Sequence, residues 1–120
     1  MTQERLSLGR WGEEQAVIFL RRLGMKIVER NFRAPVGEID IIARQGRTLV
    51  FIEVKTRRSS AFGTPQEAVG PTKQRQIVRT AQWYLGDGQW RRLQPRFDVI
   101  AVRPGEKGAE IEHIPNAFGL

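Results

Sequence analysis

The sequence predicts an α/β fold in which helices flank a mixed β-sheet. The predicted elements follow the order helix, three strands, helix, strand, strand. Two neighbouring strands form a hairpin, and the second helix leads from that hairpin to a strand that we expect to pair in parallel with it. At 120 residues, the chain is expected to form one domain over residues 1–120.

The first half of the chain predicts one helix and three strands. Helical periodicity covers residues 6–23, and Gly24 follows as a C-terminal cap. Three strands are predicted at residues 25–33, 37–44 and 47–57. Their alternation of apolar and polar residues indicates a hairpin, and we expect its second strand to lie centrally in the sheet.

The second half predicts one helix and two strands. A polar, basic loop at 57–65 precedes a helix that begins at Pro71 and ends near Leu85. The glycines of the segment 86–88 stop this helix. Strands are predicted at 96–102 and 109–114, the second of them at an edge of the sheet.

The charge balance predicts a polyanionic partner. Twenty basic and thirteen acidic residues give a formal net charge of +7. Nucleic acid is the first partner that such an excess favours, and an anionic membrane surface the second. The sequence contains no apolar run of the roughly 18 residues that a spanning helix needs. Its N-terminus carries charges where a signal peptide is apolar, so a cytoplasmic protein is expected.

The rarer residue types exclude several kinds of site. The chain has no cysteine and a single histidine, His113. Disulfides, thiol nucleophiles, cysteine-based zinc sites and multi-histidine metal sites are therefore ruled out or disfavoured. Carboxylate, lysine and arginine chemistry remains.

Two acidic residues interrupt the apolar strands of the predicted hairpin. Alternation places residues 38, 40 and 42 on one face and 39, 41 and 43 on the other, while Glu53 and Lys55 share a face. A turn at Gln45-Gly46 would pair residues 44 and 47, so that Asp40 lies opposite Phe51 and diagonal to Glu53. Diagonal neighbours are close enough for two carboxylates to share one divalent cation.

A third carboxylate comes from the first helix. At 100° per residue, Val17 and Leu20 lie within about 40° of Glu13. Glu13 is therefore near the centre of the apolar face and is expected to point at the sheet, whereas Glu14 is at the edge of that face. A salt bridge would satisfy any one of these acids alone; their coincidence with Lys55 favours a shared site.

These residue types fit a metal-dependent phosphodiesterase centre. Asp40 and Glu53 are the predicted ligands of Mg²⁺ or Mn²⁺, and Glu13 completes the metal shell directly or through water. Lys55 would orient or help to deprotonate the attacking water and offset charge in the transition state.

The same residues resemble a known signature. Asp40 followed by Glu53-Val54-Lys55 resembles the PD-(D/E)XK pattern of restriction-endonuclease-like nucleases, with Ile39 where the signature has proline. Over residues 9–102 the chain is more closely similar to the YraN family of small bacterial proteins. The segments that carry this resemblance are GRWGEEQAVIFLRRLG, RNFR, GEIDIIA, LVFIEVKTR, FGTPQEAV and RFDVIAV.

The resemblance implies a restriction-endonuclease-like fold and an activity. The family's fold is similar to that of archaeal Holliday junction resolvases, which implies a nuclease-like domain, branched DNA as substrate and a homodimer. Glu13 matches the acid of the first helix in the resolvase-like pattern, Asp40 the motif aspartate, and Glu53 with Lys55 the (D/E)XK pair. An endodeoxyribonuclease acting on branched or flap structures is the function that follows.

Basic side chains near the proposed centre are candidates for nucleic-acid binding by neutralising phosphates. They are Arg57, Arg58, Lys73, Arg75 and Arg79. Asp98, two residues after Arg96, is interpreted as structural. Tryptophans can stack on unpaired bases, but packing is the commoner role, and only Trp90 stands beside two arginines.

Two other functions remain open from the residues alone. One is a non-catalytic module that retains the nuclease fold and binds nucleic acid without cutting it. The other is a scaffold that contacts an anionic protein partner. Loss of metal binding on substitution of Glu53 is required only by the enzyme hypothesis.

Overall fold

The computed structural model describes residues 3–58, 69–86, 88 and 92–119, with side chains from residue 7 onward. Within these ranges the elements follow the predicted order. They are α1 (Gln3–Arg22), β1 (Lys26–Ala34), β2 (Gly37–Gln45), β3 (Thr48–Thr56), α2 (Pro71–Leu85), β4 (Gln94–Gly105) and β5 (Gly108–Phe118). The predicted loop at 57–65 lies outside the described residues from position 59 onward.

The five strands form one mixed sheet in the order β1-β2-β3-β4-β5. β3 and β4 pair in parallel, and the other neighbours pair antiparallel. The predicted central position of β3, its parallel partner and the edge position of β5 are therefore confirmed. The sheet and its two helices confirm the α/β class and are consistent with a restriction-endonuclease-like fold.

Each helix covers one face of the sheet, so the apolar core has two layers. α1 buries Ala16, Val17 and Leu20 against one face, and α2 buries Ile77 and Ala81 against the other. No helix of the described residues is both long and apolar enough to cross a bilayer.

The glycine after α1 ends the helix as the sequence predicts. Gly24 has a φ of 88°, in the left-handed region that glycine adopts without strain. Its N–H donates to the Arg21 carbonyl at 3.0 Å, and the Met25 N–H donates to the Leu20 carbonyl at 3.0 Å. This pair of bonds is a Schellman motif, and it directs the chain back towards the sheet.

The register of the hairpin differs from the prediction by two residues. Gln45 pairs with Thr48 and Ile42 with Phe51, so the turn residues are Gly46 and Arg47 rather than Gln45 and Gly46. Gly46 has a φ of 61°, and glycine at the first central position is the requirement of a type II′ turn. A shift of two keeps the side chains of the paired residues 41–45 and 48–52 on their predicted faces, and it brings Glu53 rather than Phe51 level with Asp40.

The predicted alternation of β2 fails at Asp40. Ile39 joins Ile42 in the layer beneath α2, whereas Ile41 packs beneath α1. The β2–β3 ladder ends at the pair Ile41–Ile52. Beyond this pair β2 and β3 diverge, although β2 remains paired with β1 as far as Gly37.

A glycine lets α1 approach the end of β3. A Cβ atom at Gly12 would lie 1.9 Å from Thr56 Oγ1, whereas a Cβ atom at Gly9 would meet nothing within 4 Å. Glu13 follows Gly12 directly, so this close contact sets the height of Glu13 above the sheet.

A buried acid on β4 has a structural role, as the sequence indicates. Asp98 is fully buried and accepts two hydrogen bonds from Arg96, at 2.9 and 2.8 Å. His113 Nε2 lies 2.7 Å from its Oδ2, and the Asn116 N–H donates to its Oδ1 at 3.0 Å. Burial acts to raise the pKa of Asp98, but these hydrogen bonds outweigh it and hold the pKa below its usual value.

Substitution of Gly12 by alanine is expected to lower the free energy of unfolding by about 1–3 kcal/mol, because the new methyl group must displace Thr56. Gly9→Ala in the same helix should instead raise it by about 0.5–1 kcal/mol, because alanine favours the helix and has room. Urea unfolding measures both. Equal stability of the two variants would contradict the close approach of α1 to β3.

Asp98→Asn is expected to lower the free energy of unfolding by about 3 kcal/mol at neutral pH, because it leaves buried donors of Arg96 and His113 poorly paired. The lowered pKa of Asp98 contributes stability above its unfolded value, so the difference from wild type should shrink as pH falls below about 4. Urea unfolding at several pH values checks this. As a control, Glu110→Gln in the exposed pair with Arg103 should cost less than about 1 kcal/mol.

Candidate functional site

Two carboxyl groups meet where β2 and β3 diverge. Glu53, on β3, is only 6% exposed, and Asp40, on β2, is partly buried. The two groups are close enough to influence each other: besides burial, their interaction acts to raise the pKa of Glu53 and to lower that of Asp40. The structure therefore brings together the two acids that the sequence predicts to converge.

A backbone hydrogen bond fixes the position of Asp40. The Val54 N–H donates to Asp40 Oδ2 at 2.8 Å. The β2–β3 ladder has ended one residue pair earlier, so the Asp40 carboxylate replaces a backbone carbonyl as the acceptor for this buried donor. One side chain therefore both closes the end of the ladder and faces Glu53.

Two lysines flank Glu53. Lys55 Nζ lies 3.7 Å and Lys73 Nζ 3.8 Å from Glu53 Oε1. Lys55 is the predicted neighbour on the same strand, whereas Lys73 comes from α2, and the sequence places it only among the phosphate-binding candidates. Its proximity to Glu53 depends on how α2 packs on the sheet, which no local sequence pattern encodes.

Burial shifts both carboxyl groups towards the protonated form. It raises the pKa of Glu53 to about 7, helped by the charge of Asp40 and opposed by Lys73 and Lys55. Burial also raises the pKa of Asp40, against the hydrogen bond from Val54 and the charges of the same lysines. Two adjacent carboxylates with few water contacts favour a bound proton or a cation between them.

Glu13 supplies a third acid from the opposite layer. Its Oε1 is buried and has no hydrogen-bond partner among the described residues. Burial, followed by the charge of Asp40, raises the pKa of Glu13. Glu14 instead points outward and pairs with Arg30 at 2.8 Å, so the structure separates the two neighbouring glutamates as the helical angles predict.

The oxygen atoms that could hold a divalent cation are those of Asp40 and Glu53. In the described ranges, no three histidine or acidic side chains are grouped closely enough to hold a metal together. The Glu13 carboxylate therefore faces the pair without joining it as a third direct ligand in this arrangement.

The other four predicted basic residues are exposed at the end of β3 or on α2. Arg57 and Arg58 lie where β3 ends, and Arg75 and Arg79 lie on α2. Glu38, which shares β2 with Asp40, lies 3.6 Å from Arg33, so it pairs with an arginine outside the centre.

A family comparison places the chain among known sequences. Residues 12–102 match the model described as Uncharacterised protein family UPF0102. The chain belongs to this family. The matched segment includes Glu13, Asp40, Glu53 and both lysines, and the family is the YraN family that the sequence motifs resemble.

Curated relatives match over nearly their whole length. A UPF0102 protein of Syntrophotalea carbinolica is 64% identical over 120 residues, covering 100% of this chain and 98% of its own. One from Geotalea daltonii is 56% identical, covering 95% and 91%, and one from Geobacter metallireducens is 50% identical, covering 100% and 98%.

The raised pKa of Glu53 predicts a pH dependence of stability in metal-free buffer. Between about pH 4.5 and 7 the folded protein keeps a proton that the unfolded chain loses. Stability from this residue is therefore highest at low pH and falls as pH rises through that window. Glu53→Gln removes the effect. As pH rises across the window, the free energy of unfolding of this variant should therefore increase relative to that of wild type by about 3 kcal/mol.

Urea unfolding of both proteins from about pH 4.5 to 8, with chelator present, measures the difference. Glu14→Gln is the matched control, because Glu14 is an exposed glutamate of the first helix, and its curve should parallel wild type. Parallel curves for Glu53→Gln and wild type would show that folding does not raise the pKa of Glu53.

Proposed function

We propose that this protein is a metal-dependent endonuclease that cuts DNA phosphodiester bonds, with branched or flap structures as substrates. The observation that carries the proposal is the buried Asp40–Glu53 pair, with Lys55 and Lys73 on one side and the unpartnered Glu13 oxygen on the other. Carboxylates buried together are costly to ionise, and a cation is one partner that offsets this cost.

The donor set suits Mg²⁺ or Mn²⁺. Asp40 and Glu53 would hold the ion through hard oxygen ligands, and Glu13 would contact it through water. When bound, such an ion polarises a phosphate and lowers the pKa of a coordinated water. Small hard cations keep several waters and need few carboxylates, so two direct protein ligands are enough.

The lysines would supply positive charge to the phosphate. Both ammonium groups lie within 3.8 Å of Glu53, so a phosphate arriving at the carboxylate pair also meets two cations. Lys55, from the same strand face as Glu53, would orient the attacking water and take part in its deprotonation. Lys73 would neutralise charge that develops on the phosphate oxygens.

Glu13 would hold a water molecule in place. Its buried Oε1 lacks a partner among the described residues, and an acceptor in that position can bind one proton of a water between α1 and the sheet. Gly12 allows this geometry, because the neighbouring turn of α1 lies against Thr56.

The surroundings suit a nucleic-acid substrate. Arg57, Arg58, Arg75 and Arg79 are exposed near or beyond the centre, and the whole chain has a formal charge of +7. Such contacts fix the register of a phosphate backbone without reading its sequence. A homodimer would present two such centres to the strands of a symmetric junction.

A non-catalytic nucleic-acid-binding module is the second candidate. It is favoured by the two lysines, which partly neutralise Glu53 without any metal, and by the lack of a three-ligand acidic group in the described part of the chain. In this module the same residues would bind a phosphate but would not cut.

Cleavage assays with matched variants separate the two candidates. End-labelled four-way junction, flap, splayed, duplex and single-stranded DNA would be incubated with wild type in Mg²⁺, Mn²⁺ or chelator. Asp40→Asn is expected to reduce metal-dependent cutting by at least about a hundredfold, since it removes a charged ligand while retaining an acceptor for Val54. Glu13→Gln should also reduce cutting, whereas Glu14→Gln should not.

Calorimetric titration with Mn²⁺ gives a second readout. Wild type should bind the ion, and Glu53→Gln should lose that binding. Undiminished cutting by Asp40→Asn would exclude the proposed centre. If wild type binds DNA but neither cuts it nor binds Mn²⁺, the non-catalytic module would be established.

A further inference from the structure

The exposed face of α2 carries a large aromatic side chain that the core does not use. Trp83 is 57% exposed, more than the other exposed large apolar side chains of the described residues, Ile18 and Leu23. The core face of the same helix is already filled by Ile77 and Ala81. Packing, the commoner role of a tryptophan, therefore does not account for Trp83, whereas Trp90 lies outside the described residues.

Two arginines precede Trp83 on the same ridge of the helix. Arg75, Arg79 and Trp83 follow one another at intervals of four residues, so they lie side by side along the helix surface. Both arginines are exposed, and neither has an ion-pair partner within the described ranges. They also line an open cleft of about 340 Å³ between α2 and Gly119, which leaves space beside the ridge for a sugar-phosphate chain.

The ridge lies on the solvent side of the helix whose first turn reaches the candidate centre. About 200° around the helix axis separates Arg75 from Lys73, so a strand must pass over the beginning of α2 between them. Lys73, at the beginning of α2, is 3.8 Å from Glu53, and Trp83 lies ten residues further along. At 1.5 Å per residue the separation along the helix axis is about 15 Å. At 3.4 Å per stacked nucleotide, this axial distance corresponds to about four nucleotides, and crossing to the solvent side of α2 adds to the path.

From this arrangement we infer that Arg75, Arg79 and Trp83 bind an unpaired nucleic-acid strand that leaves the cleavage centre, with a base stacked on Trp83. The inference rests on the proposed function and adds the requirement for a single-stranded arm. An exposed indole offers a flat face to any unpaired base, and neighbouring cations hold the backbone. In a duplex both faces of each internal base are already stacked, so the same contact discriminates against continuous duplex.

The charge of α2 favours nucleic acid over a second copy of the chain. Residues 71–85 contain three basic residues and no acidic one. A symmetric dimer through this face would bring the arginines of both copies together, and such like-charge contacts are unfavourable. A lipid surface is also disfavoured, because the apolar face of α2 is covered by the sheet and leaves only one large side chain to insert.

Binding measured without cleavage tests this inference. Fluorescence anisotropy in chelator would compare a flap, a splayed arm and a fully paired duplex of equal length. Trp83→Ala should weaken binding of the two substrates with unpaired arms by about tenfold, the order expected for one lost base stack. Duplex affinity should be unchanged, and Trp83→Phe should restore most of the lost binding.

The arginines give an independent readout. Arg79→Gln should weaken binding and reduce the slope of log affinity against log salt by about 0.7 on the single-stranded arm. Ile18→Ala and Arg22→Gln are matched controls, because they change an exposed apolar and an exposed basic side chain of α1 on the opposite face of the sheet. Both should bind as wild type does.

Intrinsic fluorescence reports on the stack itself. Wild type should show quenching on adding an unpaired oligonucleotide, and Trp83→Phe should lack the part due to Trp83. Unchanged affinity and quenching in the Trp83 variants, or equal loss on arms and duplex, would overturn the inference. A dimer in light scattering that Trp83→Ala converts to a monomer would also overturn it, since a second copy would then cover the ridge.

The assay also separates this inference from the proposed function. Wild type that binds and cuts DNA while Trp83→Ala changes neither would refute only the role of the ridge. Wild type that binds none of the substrates would refute both. If both hold, Asp40→Asn should lose cutting but keep arm binding, and Trp83→Ala should lose arm binding.

Discussion

The candidate site depends on the hydrogen bond between the Val54 N–H and Asp40. A buried backbone donor needs an acceptor, and at this point β2 no longer supplies one because the strands have begun to diverge. The side chain that fills the gap is itself a carboxylate, and it is held against a second one, Glu53. The divergence of β2 from β3 therefore leaves the Val54 N–H without a backbone acceptor, and the side chain that pairs with it is thereby held beside Glu53.

The two buried acids of neighbouring strands show how differently one sheet can treat a carboxylate. Asp98 is surrounded by hydrogen-bond donors of Arg96, His113 and Asn116 and is stabilised as an anion. Glu53 has two ammonium groups nearby, but at 3.7 and 3.8 Å they lie beyond good hydrogen-bonding distance, and burial dominates. A fully satisfied acid is a structural element, whereas an acid that remains costly to ionise retains affinity for a further partner.

The sequence was a good guide wherever an arrangement is local. Periodicity and glycine signals located the helices and strands, and helical angles separated Glu13 from Glu14. The predicted register was wrong because the turn is Gly46-Arg47, with glycine at the first central position of a type II′ turn, and not Gln45-Gly46. The sequence alone did not distinguish these two overlapping dipeptides. The faces survived that error because the shift was even. The sequence could not place Lys73 beside Glu53 or leave Trp83 exposed, because both positions depend on the packing of α2. The break at Asp40 depends on where two strands separate.

The parallel pairing of β3 with β4 has a consequence for the order of folding. β2 and β3 are joined by a tight turn, whereas Thr48 pairs with Gln94, so closing that contact requires the chain between them to be ordered. Local contacts form with less loss of chain entropy than distant ones. We therefore expect the hairpin, with both acids and Lys55, to form before α2 delivers Lys73. The folding chain then carries the acid pair with only one of its two lysines, and docking of α2 relieves that repulsion as the last strands join.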